Sequence, residues 1–367
     1  MNIQEIYKLA IKMGIENDLR GTKAVQKILK RAKEKYDVMS SEKKKEFDTE
    51  RLTNPFADTR ILYGDPKKEI KKVLVGVDIG PGEVLIAEKL GVDLIISHHP
   101  SGKALADLHD VMNLQAQVLA DYGVPINVAE SLMKERISEV ARGVSAVNHQ
   151  RSVDAVKLLK IPFMCIHTPA DNCAATFLAK RLKREKPETL GELIKMLKDI
   201  EEYKIASQNN AGPKIWVGSD DTSAGKIVLT EITGGTEGAK GIYEKMSQAG
   251  IGTVVGMHMD EERKKNAQEA HINVVIAGHI SSDSLGVNQI LDELEKKRIE
   301  VITCSGLTRV SRVKTSTRRR RLDPYIHFTG LAEADKLKPK TKVKPKTKIK
   351  PKAKVKSKKK STKKKRK

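Results

Sequence analysis

Short apolar runs alternate with helix-like stretches along most of the chain. Residues 1–60 have apolar positions at helical spacing, and a turn-rich segment (residues 53–68) leads into the first strand-like run, VLVGVD at residues 73–78. Further runs of this kind follow at residues 94–97, 124–129, 161–167, 214–218, 226–232, 252–258, 273–279 and 300–306. Strands separated by helices are typical of a largely parallel, covered sheet. The pattern predicts an α/β protein.

The chain is long enough for two α/β units. It has 367 residues, whereas one domain usually takes roughly 100–200. A charged, helical middle separates two sets of predicted strands. We therefore predict an N-terminal helical segment (1–60), a first α/β domain (61–205), a second α/β portion (206–330) and a disordered polycationic tail (331–367).

Positive charge is concentrated at the C-terminal end. The formal net charge is +23, and residues 336–367 contain 18 Lys, one Arg and no acidic residue. Such a segment has too little apolar surface to fold and is expected to bind a polyanion such as DNA or RNA through its phosphates. A solubilising appendage is the simpler alternative. The rest of the chain is nearly neutral.

Several protein classes do not fit the sequence. The three cysteines lack CxxC spacing, which argues against a disulfide framework and a zinc ribbon. No run approaches the roughly 18 apolar residues of a membrane-spanning helix. The N-terminal residues carry acids, unlike a signal peptide. We therefore expect a cytoplasmic protein with no membrane association.

Histidine and aspartate recur at the ends of predicted strands. The three occurrences are His98 with His99, His167 with Asp171, and His279 with Asp283. Ligands of open α/β sheets bind at the carboxyl ends of the strands, and imidazole with carboxylate suits Zn, Fe or Mn. Taken alone, each of these pairs more often consists of a residue that caps a helix and a histidine with a structural role. Together they predict a metal site, and because one tetrahedral ion uses fewer ligands, two bridged divalent ions are expected.

Three further features have more than one interpretation. Asp78 precedes a glycine-rich turn, where it can cap the following helix or lie near the metal site. The sequence TGGTEG at residues 233–238 can be a tight turn or can bind phosphate at a helix N-terminus. His258 ends a predicted strand, so it can face the same crevice or lie in the core.

The ordered motifs DLIISHHP, HTPADN and GHISSD resemble the NGG-one interacting factor three family, whose members are often classed as GTP cyclohydrolase I type 2 homologs. The resemblance covers about residues 1–330. It implies two α/β domains that face each other across a dinuclear metal site, and assembly as a toroidal homohexamer. The implied metal ligands are His98, His99, Asp171, His279 and Asp283. The family usually has Glu at the position of Asp283.

Two functions follow as hypotheses. The first is a metal-dependent hydrolase that acts on a nucleotide or a phosphorylated small molecule, with His167 or His258 as the catalytic group that moves protons. The resemblance implies chemistry like that of a GTP cyclohydrolase. The alternative is a nucleic-acid-associated oligomer that uses the Lys-rich tail and holds its metal for structural reasons.

Overall fold

Two mostly parallel β-sheets form the framework of residues 1–313, which are the part of the chain that the computed structural model describes. In chain order the strands are β1 (Thr59–Tyr63), β2 (Lys72–Gly76), β3 (Leu94–Ser97), β4 (Phe163–Ile166), β5 (Lys214–Val217), β6 (Lys226–Glu231), β7 (Ile251–Gly256), β8 (Asn273–Ile276) and β9 (Glu300–Cys304). The strand orders are β1-β4-β3-β2-β9 and β5-β8-β7-β6. Only β1 and β5 run antiparallel to their neighbours. The predicted α/β class is confirmed.

Helices cover both sheets. They are α1 (Ile3–Glu16), α2 (Thr22–Asp37), α3 (Ser41–Glu46), α4 (Pro81–Leu90), α5 (Gly102–Ala106), α6 (Leu108–Val111), α7 (Asn113–Asp121), α8 (Ile126–Ser145), α9 (Arg151–Leu159), α10 (His167–Glu185), α11 (Leu190–Lys198), α12 (Glu201–Gln208), α13 (Ile242–Gln248), α14 (Glu261–Glu269) and α15 (His279–Lys296). Within residues 1–313, no helix has the length and apolar character needed to cross a membrane.

The sequence pattern was misinterpreted at two places. The prediction of a strand at residues 124–129 is wrong, because most of this run forms the first turn of α8. Ala129 and Met133 of this helix are buried four residues apart, which is the spacing of one helix face. Conversely, β1 lies within the segment expected to be only turns, where it pairs with β4 along the edge of the first sheet.

The last strand returns to the first sheet. The predicted boundary between residues 205 and 206 separates β1–β4 from β5–β8, but β9 pairs in parallel with β2, with Val301 opposite Val73. Residues 1–313 form a single unit. The predicted tail (331–367) lies outside the described residues.

Helices α10 and α15 pack directly against each other near the strand ends. Gly286 of α15 faces Ala170 of α10, and a Cβ at position 286 would overlap the Ala170 carbonyl group. Val287 and Ala170 share one buried core with apolar residues of α1 and the first sheet. This close approach brings together the first turns of two helices that each follow a strand.

Candidate metal centre

The three His/Asp motifs meet at the carboxyl ends of β3, β4 and β8. His98 and His99 directly follow β3, while α10 begins at His167 and α15 begins at His279. In each of these helices an aspartate follows the histidine by four residues, so both side chains lie on one helix face. The adjacent rings of His98 and His99 also reach the cluster, with centroids 5.1 Å apart.

The carboxylate of Asp283 lies between two groups of ligand atoms. Its Oδ1 is 3.4 Å from His98 Nε2, and the same nitrogen is 3.4 Å from Asp171 Oδ1. Its Oδ2 is 3.6 Å from His99 Nε2 and 3.7 Å from His279 Nε2. Ligand atoms around a tetrahedral ion with bonds of about 2.1 Å are about 3.4 Å apart. Each group therefore has the spacing that a metal ion requires.

The first group is buried without hydrogen-bond partners among the described residues. His98, Asp171 and Asp283 are at most 4% exposed. Both ring nitrogens of His98, Oδ1 of Asp171 and both oxygens of Asp283 have no hydrogen bond. A buried carboxylate without a partner costs several kcal/mol, so this donor set fits a cation.

The protonation states also suit metal binding. Burial lowers the pKa of His98 to about 4, which leaves its imidazole neutral. Burial would raise the pKa of Asp283, but the imidazoles around it, His98 foremost, lower it to about 2. Burial raises the pKa of Asp171 well above its ordinary value. A bound cation acts in the opposite direction and favours the carboxylate form.

Two carboxylates orient the histidines. His99 Nδ1 donates to Asp78 Oδ1 over 2.8 Å, and His167 Nδ1 donates to Asp58 Oδ2 over 2.8 Å. The remaining nitrogen of each ring is then free to face the site, as in carboxylate–histidine–metal arrangements. Asp78 thus orients His99, whereas the N-cap of α4 is Gly80. Sequence analysis missed Asp58, since an isolated aspartate in a turn-rich segment gives no signal.

His167 lies beside the first ligand group. Its Nε2 is 3.8 Å from Asp171 Oδ2, and its ring centroid is 4.9 Å from that of His98. Burial would lower the pKa of His167, but the carboxylates of Asp171 and Asp58 raise it to about 9. His167 is therefore an imidazole that can hold a proton next to the candidate ligands.

His258 faces the same cleft from the second sheet. Its ring centroid is 4.7 Å from that of His279, and it lines the cleft together with Asp283 and His167. Its Nδ1 donates to Glu237 Oε1 over 2.6 Å. Burial would lower the pKa of His258, but the Glu237 carboxylate raises it. Sequence analysis left the place of His258 open and missed Glu237 as its partner.

The loop at residues 233–238 supplies Glu237 and closes one side of the cleft. Gly234 and Gly235 adopt positive φ values of 92° and 91°, which favour glycine. The Gln115 side chain donates to the Gly234 carbonyl over 3.0 Å, and Thr233 donates to Asn172 of α10 over 2.6 Å. The loop is therefore attached to helices on both sides and holds Glu237 in place.

Comparison with known proteins agrees with the motif resemblance. Residues 54–119 match Duf34/NIF3 (NGG1p interacting factor 3). A NIF3 superfamily protein from Sphaerobacter thermophilus is 28% identical with a TM-score of 0.63, covering 68% of this chain and 92% of that chain. Reduced HcgD from Methanocaldococcus jannaschii is 18% identical with a TM-score of 0.42, covering 71% and 94%. No curated protein matches. The domain match and the similarity to the Sphaerobacter protein therefore support the resemblance of this chain to the NIF3 family.

Proposed function

We propose that this chain is a hydrolase that uses two divalent metal ions and acts on a nucleotide or another phosphorylated small molecule. The position of Asp283 carries the proposal, because its two oxygens face two separate ligand groups. Two ions held in this way would lower the pKa of water toward ~7 and would polarise a substrate oxygen. The imidazole and carboxylate donors suit Zn, Fe or Mn.

The side chains divide into two roles. The ligands are His98, His99, Asp171, His279 and Asp283. His167 and His258 each have one ring nitrogen bound to a carboxylate and the other available for proton transfer. His167 is buried beside the ligands, and its raised pKa keeps it protonated at neutral pH, so it is placed to donate a proton to the leaving group. The His258 side chain is 38% exposed and can exchange protons with solvent.

A paired substitution at the ligands tests the proposal. His98→Ala combined with His99→Ala removes one nitrogen from each ligand group, so metal content should fall to near zero and turnover of GTP or phosphate monoesters should disappear. His258→Gln should keep the metal and lower turnover by roughly 10²–10⁴-fold, the usual contribution of a proton-transfer group. Metal analysis and product release measured on the same samples check both results.

His271→Asn provides the matched control. His271 is exposed and has a φ of 56°, which Asn tolerates, so metal content and turnover should stay at the wild-type level. Turnover that persists in a metal-free double variant would contradict the proposal. Full metal content without turnover of any nucleotide or phosphate ester would favour a structural metal instead.

A second proposal is that residues 336–367 bind a polyanion such as DNA or RNA. Its support is the charge distribution, with 19 basic residues and no acidic residue in this segment. The resemblance also implies a homo-oligomer. Several tails on one assembly would strengthen polyanion binding.

Deletion of residues 336–367 tests the second proposal. The shortened chain should lose DNA and RNA binding near 0.15 M salt, because the phosphate-neutralising charge is gone. Its metal content should not change, since every ligand lies within residues 1–313. Fluorescence anisotropy over a salt series measures the binding. Undiminished affinity of the shortened chain would place the nucleic-acid surface elsewhere.

A further inference from the structure

A second cavity opens beside the metal ligands. It has a volume of about 360 Å³, and its wall includes His99 and Asp78 together with the first turns of α4 and α9. This volume lies within the range of small-molecule sites, roughly 300–1,000 Å³. Because His99 belongs to the candidate metal centre, a molecule bound here would extend to the ligands. The cleft lined by His258 lies elsewhere on the ligand cluster.

The cavity wall contains one cationic side chain without an acidic partner. Arg151 is exposed, and among residues 1–313 no carboxylate lies within salt-bridge distance of its guanidinium. The neighbouring Ser152 hydroxyl donates to the Ile79 carbonyl over 2.5 Å, which attaches the start of α9 to the loop before α4. The backbone next to Arg151 is therefore fixed against the cavity wall.

The two carboxylates of the wall are already engaged. Asp78 accepts a hydrogen bond from His99, and Glu83 accepts one from the Gly80 N–H over 2.8 Å. Each keeps a second oxygen that can accept from a hydroxyl group. Arg151 is thus the wall's uncommitted charged donor.

Two helix N-termini also face the cavity, whose wall carries the Arg151 cation and the Asp78 and Glu83 carboxylates. Helix α4 has 10 residues and α9 has 9, and both begin at this wall. Helix N-termini carry partial positive charge and free N–H groups that favour phosphate. At Gly82, in the first turn of α4, a Cβ would have no neighbour within 4 Å, so this backbone is open to a ligand.

We propose that this cavity binds the phosphate group of a phosphate monoester whose organic part carries hydroxyl groups. Arg151 and the first turns of α4 and α9 bind the phosphate, and the free oxygens of Asp78 and Glu83 accept from the hydroxyls. The inference rests on the proposed function, because it assigns the substrate class of the same centre.

Isothermal titration with ribose 5-phosphate tests this subsite. The full-length chain in about 0.15 M NaCl should show saturable binding, and unphosphorylated ribose should bind at least tenfold more weakly. Arg151→Gln should weaken ribose 5-phosphate binding at least tenfold. The affinity of Arg151→Lys should lie between those of wild type and Arg151→Gln, since Lys keeps the charge but loses the bidentate geometry. The lysine-rich segment is the same in every variant and cancels in the comparison.

Arg142→Gln is the matched control. Arg142 is an exposed arginine on α8 whose guanidinium bonds only the nearby Ser138 within the described residues, so its replacement should leave the affinity within twofold. Equal affinities for wild type and Arg151→Gln, or no saturable binding by wild type, would overturn the inference. Metal content of the same samples separates the phosphate subsite from the proposed hydrolase function. If the chain binds ribose 5-phosphate through Arg151 but takes up no metal, only the hydrolase proposal is refuted.

Discussion

Asp283→Ala should remove both metal ions, whereas Asp171→Ala should remove one. Two of the three candidate ligand groups contain Asp283, whereas one contains Asp171; the remaining group consists of His98, His99 and His167. Loss of a shared carboxylate leaves each ion with too few protein ligands and no bridge. Elemental analysis after dialysis should therefore change from about two ions per chain in the wild type to near none in Asp283→Ala.

Thermal unfolding gives a second measurement of the same effect. A ligand that binds only the folded state stabilises it, so a chelator should lower the melting temperature of the wild type. The same chelator should leave Asp283→Ala almost unchanged. Asp221→Ala, an exposed aspartate in a loop, should behave as wild type in both assays. An Asp283→Ala chain that retains two tightly bound ions would rule out bridging by this residue.

Gly286→Ala should strongly destabilise the protein. The added Cβ would overlap the Ala170 carbonyl, and neither partner is a flexible side chain. Inserting an extra carbon into a well-packed core typically costs about 1–3 kcal/mol, and more where the neighbouring atoms are backbone. Because α10 carries Asp171 and α15 carries Asp283, the same displacement should also weaken metal binding. Urea unfolding of the metal-free chain isolates the packing effect.

Gly143→Ala separates packing from helix propensity. Gly143 lies in the exposed α8, and a Cβ there would have no neighbour within 4 Å. Alanine should raise the unfolding free energy at this position by about 0.5–1 kcal/mol. If Gly286→Ala had wild-type stability, the contact between α10 and α15 would be looser than the structure shows.

The motifs of the candidate metal centre were visible in the sequence because their geometry is local. Each His/Asp pair of α10 and α15 spans one helical turn, and each helix starts where a strand ends. The partners of the histidines were not visible. Asp58 is 109 residues from His167, and Glu237 is 21 residues from His258. No periodicity links residues that meet only through tertiary packing.

The strand errors have a related cause. A short apolar run such as VPINVA fits either a strand or the first turns of a helix, and only packing decides between them. Strand β1 has the opposite problem, because turn-forming residues surround it at an edge of the sheet. The pairing of β9 with β2 places residue 301 opposite residue 73. A local sequence pattern does not encode a contact between residues so far apart in the chain.

This pairing has a consequence for biosynthesis. While a ribosome is still making the chain, the edge of β2 has no neighbour until residue 304 has emerged. An open parallel edge is prone to pair with other nascent chains, and contacts of such long range form slowly. His279 and Asp283 emerge only shortly before β9, so a nascent chain has no complete candidate metal centre until most of it has been translated.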